Sequence, residues 1–341
     1  MKLKEFQQWL EKEKIDVAIF TSDDPNIKYF TGFDCEYSIL EIMQKSSILF
    51  VPKMEHIRAK KFSRIPVEVL DDDYFTKLKN KDISMIGINK AHIRVKNYEK
   101  LRKDFAQYLI FDTSDKVTEL RRIKTDEEIK IMQQGAEISD KIFKKLLDSF
   151  SKFKTETEVA NFIDTEAKLL GYKMAFPTIV ASGLNAKMPH HVPKNEKLEK
   201  GFCVIDFGII CQGYCTDMTR TLFIGEQSLE IKELYNKVLN IQQKCIESSL
   251  PGKSAKSLHK IAAKELGENL IHSLGHGVGI EIHESPNISD KSQDVLEENN
   301  VITIEPGYYG QKHGIRIEDT IVIKANKAII LNKSQKELIF I

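Results

Sequence analysis

Two aspartates lie within neighbouring apolar segments of the chain. Asp206 belongs to residues 203–208 and Asp217 to residues 214–221, and the short connection between them contains Gly213. This pattern predicts a β-hairpin. Carboxylates are rarely buried unless they are paired or bind a metal, and two that face each other repel unless a cation lies between them. The hairpin therefore predicts a metal site.

A second pair of acids follows the same plan. Glu305 lies in the apolar segment 301–307, and Glu318 lies in the returning segment 314–320. The first pair is separated by 11 positions and the second by 13, which is consistent with a faint internal duplication of two hairpins facing a shared site. Alternatively, these glutamates are edge-strand acids facing water. Four acids in matched apolar hairpins favour the shared site.

Histidines supply further candidate ligands. His272 and His276 have the i, i+4 spacing of helical zinc ligands, but Gly275, Gly277 and Gly279 argue against a helix there. The glycines can instead let the backbone approach a ligand. One such histidine with four carboxylates makes an oxygen-rich site, which suits Mn²⁺, Co²⁺ or Fe²⁺ at least as well as Zn²⁺. Four carboxylates carry more negative charge than one divalent ion can balance, so we expect two ions.

A histidine pair lies in a loop rich in proline. His190 and His191 belong to residues 176–193, where Pro177, Gly183 and Pro189 disfavour regular structure. An imidazole near a metal can hold a substrate carbonyl or an oxyanion. Taken alone, the pair is better explained as two histidines of a surface loop.

The elements before residue 118 predict a small α/β domain. Apolar spacing predicts a helix over residues 2–13 and further helices over 53–62 and 94–106. Short strands are expected at 17–20, 47–51, 67–70, 85–88 and 108–112, with a turn at 24–26. Residues 113–122 are expected to form a polar connection. Strands that alternate with helices are typical of an α/β domain.

The remainder of the chain predicts an α+β domain. Thr125 and Thr155 each precede a glutamate by three positions, which is the signature of a capping box that opens a helix. Further helices are expected over 229–249 and 254–266, and β-rich segments lie between and after them. We therefore expect helices over a largely antiparallel sheet.

Composition limits the classes of function. The 341 residues carry a formal net charge of +1, which favours no nucleic-acid partner. No apolar run approaches the roughly 18 residues of a membrane span. The five cysteines lack a paired framework, and we expect reduced thiols in a cytoplasmic protein. Cys211 and Cys215 could contact a soft metal, but packing is the favoured explanation.

With these residues in view, the chain resembles the pita-bread metallopeptidases, which include prolidases, Xaa-Pro aminopeptidases and methionine aminopeptidases. The segment 26–33 resembles a creatinase-type N-terminal domain, and 120–124 resembles the entry to the catalytic domain. The resemblance implies an α/β N-terminal domain over residues 1–118 and an α+β pita-bread catalytic domain over 119–341. The motifs that carry it are Ile205-Asp206-Phe207-Gly208, Thr216-Asp217-Met218-Thr219-Arg220, Gly275-His276-Gly277-Val278-Gly279, Ile304-Glu305-Pro306-Gly307 and Arg316-Ile317-Glu318-Asp319.

The resemblance implies a metal ligand set. Asp206 would bind one ion, Asp217 and Glu318 would bridge both, and His276 with Glu305 would bind the other. The metals implied are two divalent ions, Mn²⁺ or Co²⁺, with Fe²⁺ or Zn²⁺ as alternatives.

It also implies roles for residues around the metals. Glu305 would carry a proton to the leaving nitrogen, and His190 and His283 would contact substrate or intermediate. His272 would line the pocket and Arg316 would brace the site. His190 is preferred over His191, which stays a candidate for substrate binding.

The activity implied is hydrolysis of the Xaa-Pro bond by a hydroxide that bridges two cations, in a homodimer acting on proline-containing peptides. Both Xaa-Pro dipeptidase (prolidase) and Xaa-Pro aminopeptidase fit, since residues 284–291 lack the arginine that would clamp a free carboxylate and offer only Lys291. One alternative, a methionine aminopeptidase-like exopeptidase, is disfavoured by the N-terminal domain. The other, a non-catalytic peptide-binding protein, is disfavoured because all five ligands are present.

Overall fold

A six-stranded mixed sheet forms the centre of the first part of the chain. The computed structural model describes residues 2–79 and 81–341, which divide into two units, one ending at Leu120 and the other beginning at Arg121. The strands of the first unit are β1 (Val17–Thr21), β2 (Ile39–Met43), β3 (Ser47–Val51), β4 (Val67–Val69), β5 (Met85–Ile88) and β6 (Leu109–Asp112). They lie in the order β4-β3-β2-β1-β5-β6, with β1 parallel to β5 and antiparallel to β2.

Six helices accompany this sheet in the described residues. They are α1 (Lys2–Lys12), α2 (Pro25–Thr31), α3 (His56–Phe62), α4 (Tyr74–Lys79), α5 (Val95–Asp104) and α6 (Ser114–Arg122). The α/β class expected from the sequence is confirmed. Two local expectations are wrong: the turn at 24–26 begins α2, and the polar connection 113–122 is largely the helix α6. In α2, Asp24 accepts a hydrogen bond from the amide of Asn26 and Pro25 occupies the first turn, which makes the same residues a helix start.

Helices and antiparallel strands build the second unit. Its helices are α7 (Asp126–Ser149), α8 (Glu156–Leu169), α9 (Leu229–Glu247) and α10 (Ala255–Leu266). Its strands are β7 (Lys173–Met174), β8 (Ile179–Ser182), β9 (Gly201–Phe207), β10 (Ile209–Cys211), β11 (Tyr214–Cys215), β12 (Met218–Ile224), β13 (Gly275–Gly277), β14 (Glu284–Ile288), β15 (Val301–Ile304), β16 (Gly307–Tyr309), β17 (Gly314–Arg316), β18 (Asp319–Lys324) and β19 (Lys327–Ile330). The α+β layout is therefore confirmed.

Both predicted capping boxes are present. Thr125 accepts a hydrogen bond from the amide of Glu128, whose carboxylate accepts one from the amide of Thr125, and Thr155 and Glu158 repeat the arrangement. These contacts satisfy amides that have no partner inside the helix. They fix where α7 and α8 begin, and the apolar faces of both helices pack on β9 and its neighbours.

Each predicted hairpin encloses a smaller one. Strands β9 and β12 pair with Asp206 opposite Thr219, while β10 and β11 form a short hairpin between them. Strands β15 and β18 pair with Ile304 opposite Asp319, while β16 and β17 form the short hairpin. The connection expected at 209–213 is thus itself partly strand. Central sheets have the orders β12-β9-β8 and β14-β13-β15-β18-β19.

Buried apolar side chains of both hairpins pack beneath helices. Ile302, Ile304, Ile315 and Ile317 belong to a core with α9 and α10. No helix among the described residues is both long and apolar enough to span a bilayer.

Gly208 gives a test of how tightly the first hairpin is closed. A methyl group on Gly208 would lie 1.8 Å from the carbonyl oxygen of Thr216. One on Gly171 would meet no atom of the described residues within 4 Å, but the backbone there has a φ of +85°. We expect Gly171→Ala to cost about 1 kcal/mol from backbone strain alone. Gly208→Ala should cost roughly 3 kcal/mol or more, because backbone must move. Urea unfolding measures both; equal losses would contradict the close approach.

Candidate metal centre

Acidic and imidazole ligand atoms from four segments meet in the second unit. One ligand atom each from Asp217, His276 and Glu318 lies within 4.8 Å of the others. The Nε2 atom of His276 lies 3.6 Å from Asp217 Oδ2 and 3.5 Å from Glu305 Oε1. Both nested hairpins and strand β13 therefore contribute to one cluster, as the shared-site hypothesis requires.

Arg316 joins Asp206 to this cluster. Its Nη2 donates to Asp206 Oδ2 at 2.7 Å, and its Nε donates to the hydroxyl of Thr219 at 3.3 Å. The same hydroxyl donates to Glu318 Oε2 at 2.7 Å. Thr219 lies opposite Asp206 in the pairing of β9 with β12, so the register of these strands sets the distance between Asp206 and Glu318. Arg316 thus lies between elements that carry different acids, which suits the bracing role that the resemblance implied.

A second arginine, Arg220, binds backbone groups beside strands β12 and β18. The Nη1 group of Arg220 donates to the carbonyls of Thr219 and Glu318, and its Nη2 group donates to Asp319. Asp319 is fully buried and also accepts from Lys336 at 2.8 Å. The charge of Asp319 is therefore neutralised by two cations, so we do not expect Asp319 to bind a metal, unlike its neighbour Glu318.

Backbone contacts fix the orientation of His276. Its Nδ1 lies 3.0 Å from the carbonyl of Gly277, which can only accept, so Nδ1 carries the proton and Nε2 presents a lone pair to the acids. The hydroxyl of Thr303 accepts from the His276 amide and donates to Glu305 Oε1 at 3.3 Å. His276 lies in a strand and not in a helix, against which its glycine neighbours argued.

The electrostatics of the cluster are those of crowded anions. Burial, followed by repulsion from neighbouring carboxylates, raises the pKa of Asp217 and of Glu318 well above their ordinary values. Burial, with repulsion from Asp206, raises the pKa of Glu305 to about 7 although Arg316 opposes the shift. Burial also lowers the pKa of His276 to about 4, which keeps the imidazole neutral and able to bind a metal.

The arrangement fits divalent cations. Asp206 Oδ1 is buried and has no hydrogen-bond partner among the described residues, although its other oxygen is bound by Arg316. A buried carboxylate oxygen without a donor is costly unless a cation contacts it. Carboxylate oxygens with one imidazole are donors that Mn²⁺, Co²⁺ and Fe²⁺ accept.

Three further histidines surround the cluster at different depths. The ring of His283 lies 4.4 Å from that of His276, and its own side chain is exposed. His190 is also exposed, and its charge contributes to lowering the pKa of His272 and His283. His272 is held by Tyr309, whose hydroxyl lies 3.0 Å from Nε2.

His191 is placed apart from this group. It is 6% exposed, and its Nε2 lies 2.7 Å from Glu156 Oε2 at the start of α8. The structure therefore leaves His190 exposed and buries its neighbour His191 against Glu156.

Sequence reasoning missed residues that organise the centre through hydroxyl groups. Tyr309 accepts a hydrogen bond from Arg316 Nη1 at 2.7 Å and contacts His272, and Thr219 and Thr303 hold the two glutamates. Thr219 belongs to the motif around Asp217, two positions after it, which was an available signal. Tyr309 gave none, because its contacts depend on how the short hairpin β16–β17 folds back.

Comparison with known proteins identifies the family. The model of metallopeptidase family M24 matches residues 130–325, and that of the Creatinase/Prolidase N-terminal domain matches residues 2–123. The chain belongs to metallopeptidase family M24. An M24 peptidase of this kind is a metal-dependent hydrolase, and its fold is a pita-bread catalytic domain preceded by a creatinase-like domain, as the resemblance implied.

Relatives with names from both branches cover nearly the whole chain. The chain is 38% identical to a Xaa-Pro dipeptidase of Pyrococcus horikoshii, over 99% of this chain and 98% of that protein. The crystal structure of the prolidase from the same organism matches with a TM-score of 0.91 at 37% identity, covering 99% of each chain. That of an X-Pro aminopeptidase from Thermotoga maritima matches with a TM-score of 0.91 at 30% identity, again covering 99% of each.

The crowded acids predict how metal-free protein responds to pH. A group whose pKa is raised on folding stabilises the fold below its unfolded value and loses that contribution as pH rises through the folded value. Glu305 has an ordinary pKa of 4.5 and a folded pKa of about 7, so its contribution to the Tm of chelator-treated protein should be lost between about pH 4.5 and 7.5. Up to about pH 6.5, His272 and His276, whose pKa values are lowered to about 4, act in the opposite direction, so the net fall in Tm is expected between about pH 6.5 and 7.5.

Thermal scans of chelator-treated protein measure this slope, and the Glu305→Gln variant is the control. The variant lacks one of the raised groups, so its Tm should fall less across the same window. Added Mn²⁺ should raise Tm most at the alkaline end, because it binds the ionised acids of the folded state. A Tm that stays constant or rises between about pH 6.5 and 7.5 would contradict the crowding.

Proposed function

We propose that this M24 peptidase hydrolyses the Xaa-Pro bond of proline-containing peptides with two divalent ions. The observation that carries the proposal is the convergence of Asp217, His276 and Glu318 ligand atoms within 4.8 Å in a buried acidic cluster. The names of the relatives, Xaa-Pro dipeptidase and X-Pro aminopeptidase, support the substrate class.

The proposed ligands are the five residues of the cluster. Asp206 would hold one ion, His276 and Glu305 the other, and Asp217 and Glu318 both. Mn²⁺ or Co²⁺ are the proposed ions, with Fe²⁺ and Zn²⁺ as alternatives that the donor set also accepts. When bound, such cations supply Lewis acidity that polarises a carbonyl and lowers the pKa of water to near neutrality.

Glu305 is the proposed proton carrier. It follows strand β15 directly, and Thr303 holds its Oε1, so that the carboxylate keeps a fixed orientation. Its side chain is 16% exposed, more than that of Asp217, which leaves it reachable from the substrate side. A positioned carboxyl group can take up a proton and pass it to the proline nitrogen as the bond breaks.

His190 and His283 are the proposed contacts to substrate. Both are exposed beside the cluster, and burial followed by the charge of His190 lowers the pKa of His283. A neutral imidazole can donate its N–H to an oxygen on which negative charge develops. His272, held by Tyr309 and Arg316, is proposed to line the pocket rather than to move a proton.

Proline explains why a dedicated site is needed. An Xaa-Pro bond has no N–H and its ring fixes φ, so enzymes that recognise an extended backbone bind it poorly. The length of the peptide is a separate question. Residues 284–291 carry no arginine, and Lys291 is exposed and offers only a point charge to a free carboxylate. We therefore propose that tripeptides are accepted as well as dipeptides.

The proposed setting is the cytoplasm, and all five cysteines are free thiols that suit a reducing compartment. The homodimer implied by the resemblance stays a prediction, which sedimentation of the full chain tests.

The substrate class is tested by assay with Mn²⁺ or Co²⁺. We expect cleavage of Gly-Pro-type dipeptides and of Xaa-Pro-Yaa tripeptides, and loss of both after chelation because the acids then have no cation. Cleavage of neither peptide would contradict the enzyme proposal. Cleavage of tripeptides alone would exclude the dipeptidase branch.

Asp217 tests the ligand set. Asp217→Ala removes the acid proposed to contact both ions, so metal content and kcat should fall together, with kcat reduced on the order of 10³-fold or more. The control is Asp148→Ala, which removes an exposed acid of α7 in the same unit. Metal analysis beside peptide assay measures both, and an active Asp217→Ala variant would refute the ligand assignment.

A further inference from the structure

One buried carboxylate ties together the two ends of the loop that carries His190. We call residues 183–192 the His190 loop. Glu156, the first residue of α8, is 2% exposed. Its Oε1 accepts hydrogen bonds from the Ser182 amide at 2.7 Å, the Ser182 hydroxyl at 2.9 Å and the Asn185 side chain at 3.0 Å. These donors lie at the beginning of the loop.

The other oxygen of Glu156 holds the end of the loop. Oε2 accepts from His191 Nε2 at 2.7 Å and from the Lys194 amide at 3.1 Å. The side chains of His191 and Glu156 are 3% and 2% exposed, so this pair is shielded from water. Thr157 of the same helix donates its amide to the Lys194 carbonyl. One side chain of α8 therefore fixes the distance across the whole loop.

His190 lies between two anchors. The carbonyl of Pro189 accepts from Arg316 Nη1 at 3.2 Å, and Arg316 also binds Asp206 at 2.7 Å. On the following side, His191 is bound to Glu156. One neighbour of His190 is thus attached to the candidate metal centre and the other to helix α8. The backbone of His190 has little freedom to move, while its exposed side chain stays available.

The charge of Glu156 is needed for this arrangement. All five groups that contact its oxygens serve as donors, and these hydrogen bonds lower the pKa of Glu156 although burial alone would raise it. An amide in its place would turn an NH₂ group toward donors. Buried donors left without an acceptor are costly, so the loop would rearrange.

We infer that Glu156 and His191 are positioning residues that act on catalysis through His190. The inference rests on the proposed function, in which His190 contacts the substrate. It also gives His191 a role other than the substrate contact expected from the sequence. The pair sets where the His190 imidazole stands, and neither member touches the substrate.

The test compares Glu156→Gln with Glu166→Gln in the Mn²⁺-loaded full chain. Glu166 lies on the same helix and pairs with Lys145, away from the loop. Misplacing a group by about 1 Å can cost on the order of 100-fold in rate, so we expect kcat of Glu156→Gln on an Xaa-Pro peptide to fall roughly 10- to 100-fold. KM and metal content should change less than about twofold, and Glu166→Gln should match wild type. An unchanged kcat for Glu156→Gln would overturn the inference.

A double-mutant cycle separates positioning from general support of the fold. In a His190→Ala background the loop no longer has an imidazole to position, so Glu156→Gln should cost less than about twofold in kcat. A cost as large in that background as in wild type would show that Glu156 does not act through His190.

Substitutions at His191 repeat the test if Glu156→Gln fails to fold. His191→Gln keeps an N–H donor near the position of Nε2 and should retain most of the activity. His191→Phe keeps a ring without the donor and should lose kcat as Glu156→Gln does. Equal activity of the two variants would overturn the inference.

Hydrogen exchange gives a readout that does not need activity. Amides of residues 183–192 should exchange at least tenfold faster in Glu156→Gln than in Glu166→Gln. If wild type cleaves no Xaa-Pro peptide, the proposed function fails by itself, and exchange decides on positioning. Unchanged exchange in the loop would overturn the inference whatever the activity.

Discussion

Repulsion among buried carboxylates is the constraint on which the second unit depends. Asp206, Asp217, Glu305 and Glu318 share one cluster, and Arg316 is the cation that the described residues bring into hydrogen-bond contact with it. Like charges at this separation cannot all ionise in a protein interior without compensation. The fold holds them together because they are attached to two β-hairpins whose apolar faces are buried, the first mainly under α7 and α8 and the second under α9 and α10. Burial of the strands thus forces the acids into proximity, and bound cations are needed to balance their negative charge.

Hydrogen-bonded hydroxyls and backbone groups turn this proximity into a defined geometry. Thr219 and Thr303 each orient one glutamate, and Arg316 connects Asp206 with Tyr309 and with the loop before His190. These contacts make the position of one acid depend on several strands at once. A group held in this way needs little rearrangement on binding a ligand, which is the general condition for a preorganised site.

The acids proposed to bind metal were predictable because carboxylates within apolar strands are rarely buried without a cation. The two helix starts at Thr125 and Thr155 were predictable because a capping box involves only residues within four consecutive positions. Helix α2 was missed because an aspartate followed by proline begins turns and helices alike, and α6 because its face is weakly apolar. The partnership of Glu156 with His191 spans 35 positions, and Tyr309 contacts Arg316 across a folded hairpin. Neither follows from local pattern, since both depend on tertiary contacts that only the assembled sheet creates.

Because one hairpin is nested inside another, the positions of the ligands do not depend on the length of the inner hairpin. The tips of the inner hairpins, at Gln212 and at Gln311 and Lys312, are exposed, whereas the ligands lie at or beside the outer strands. Residues gained or lost at a tip would change the inner hairpin and leave Asp206 opposite Thr219. Surface turns of this kind tolerate insertion. The second unit can therefore acquire new loops, and with them new surfaces for recognition, while the carboxylate cluster keeps its dimensions.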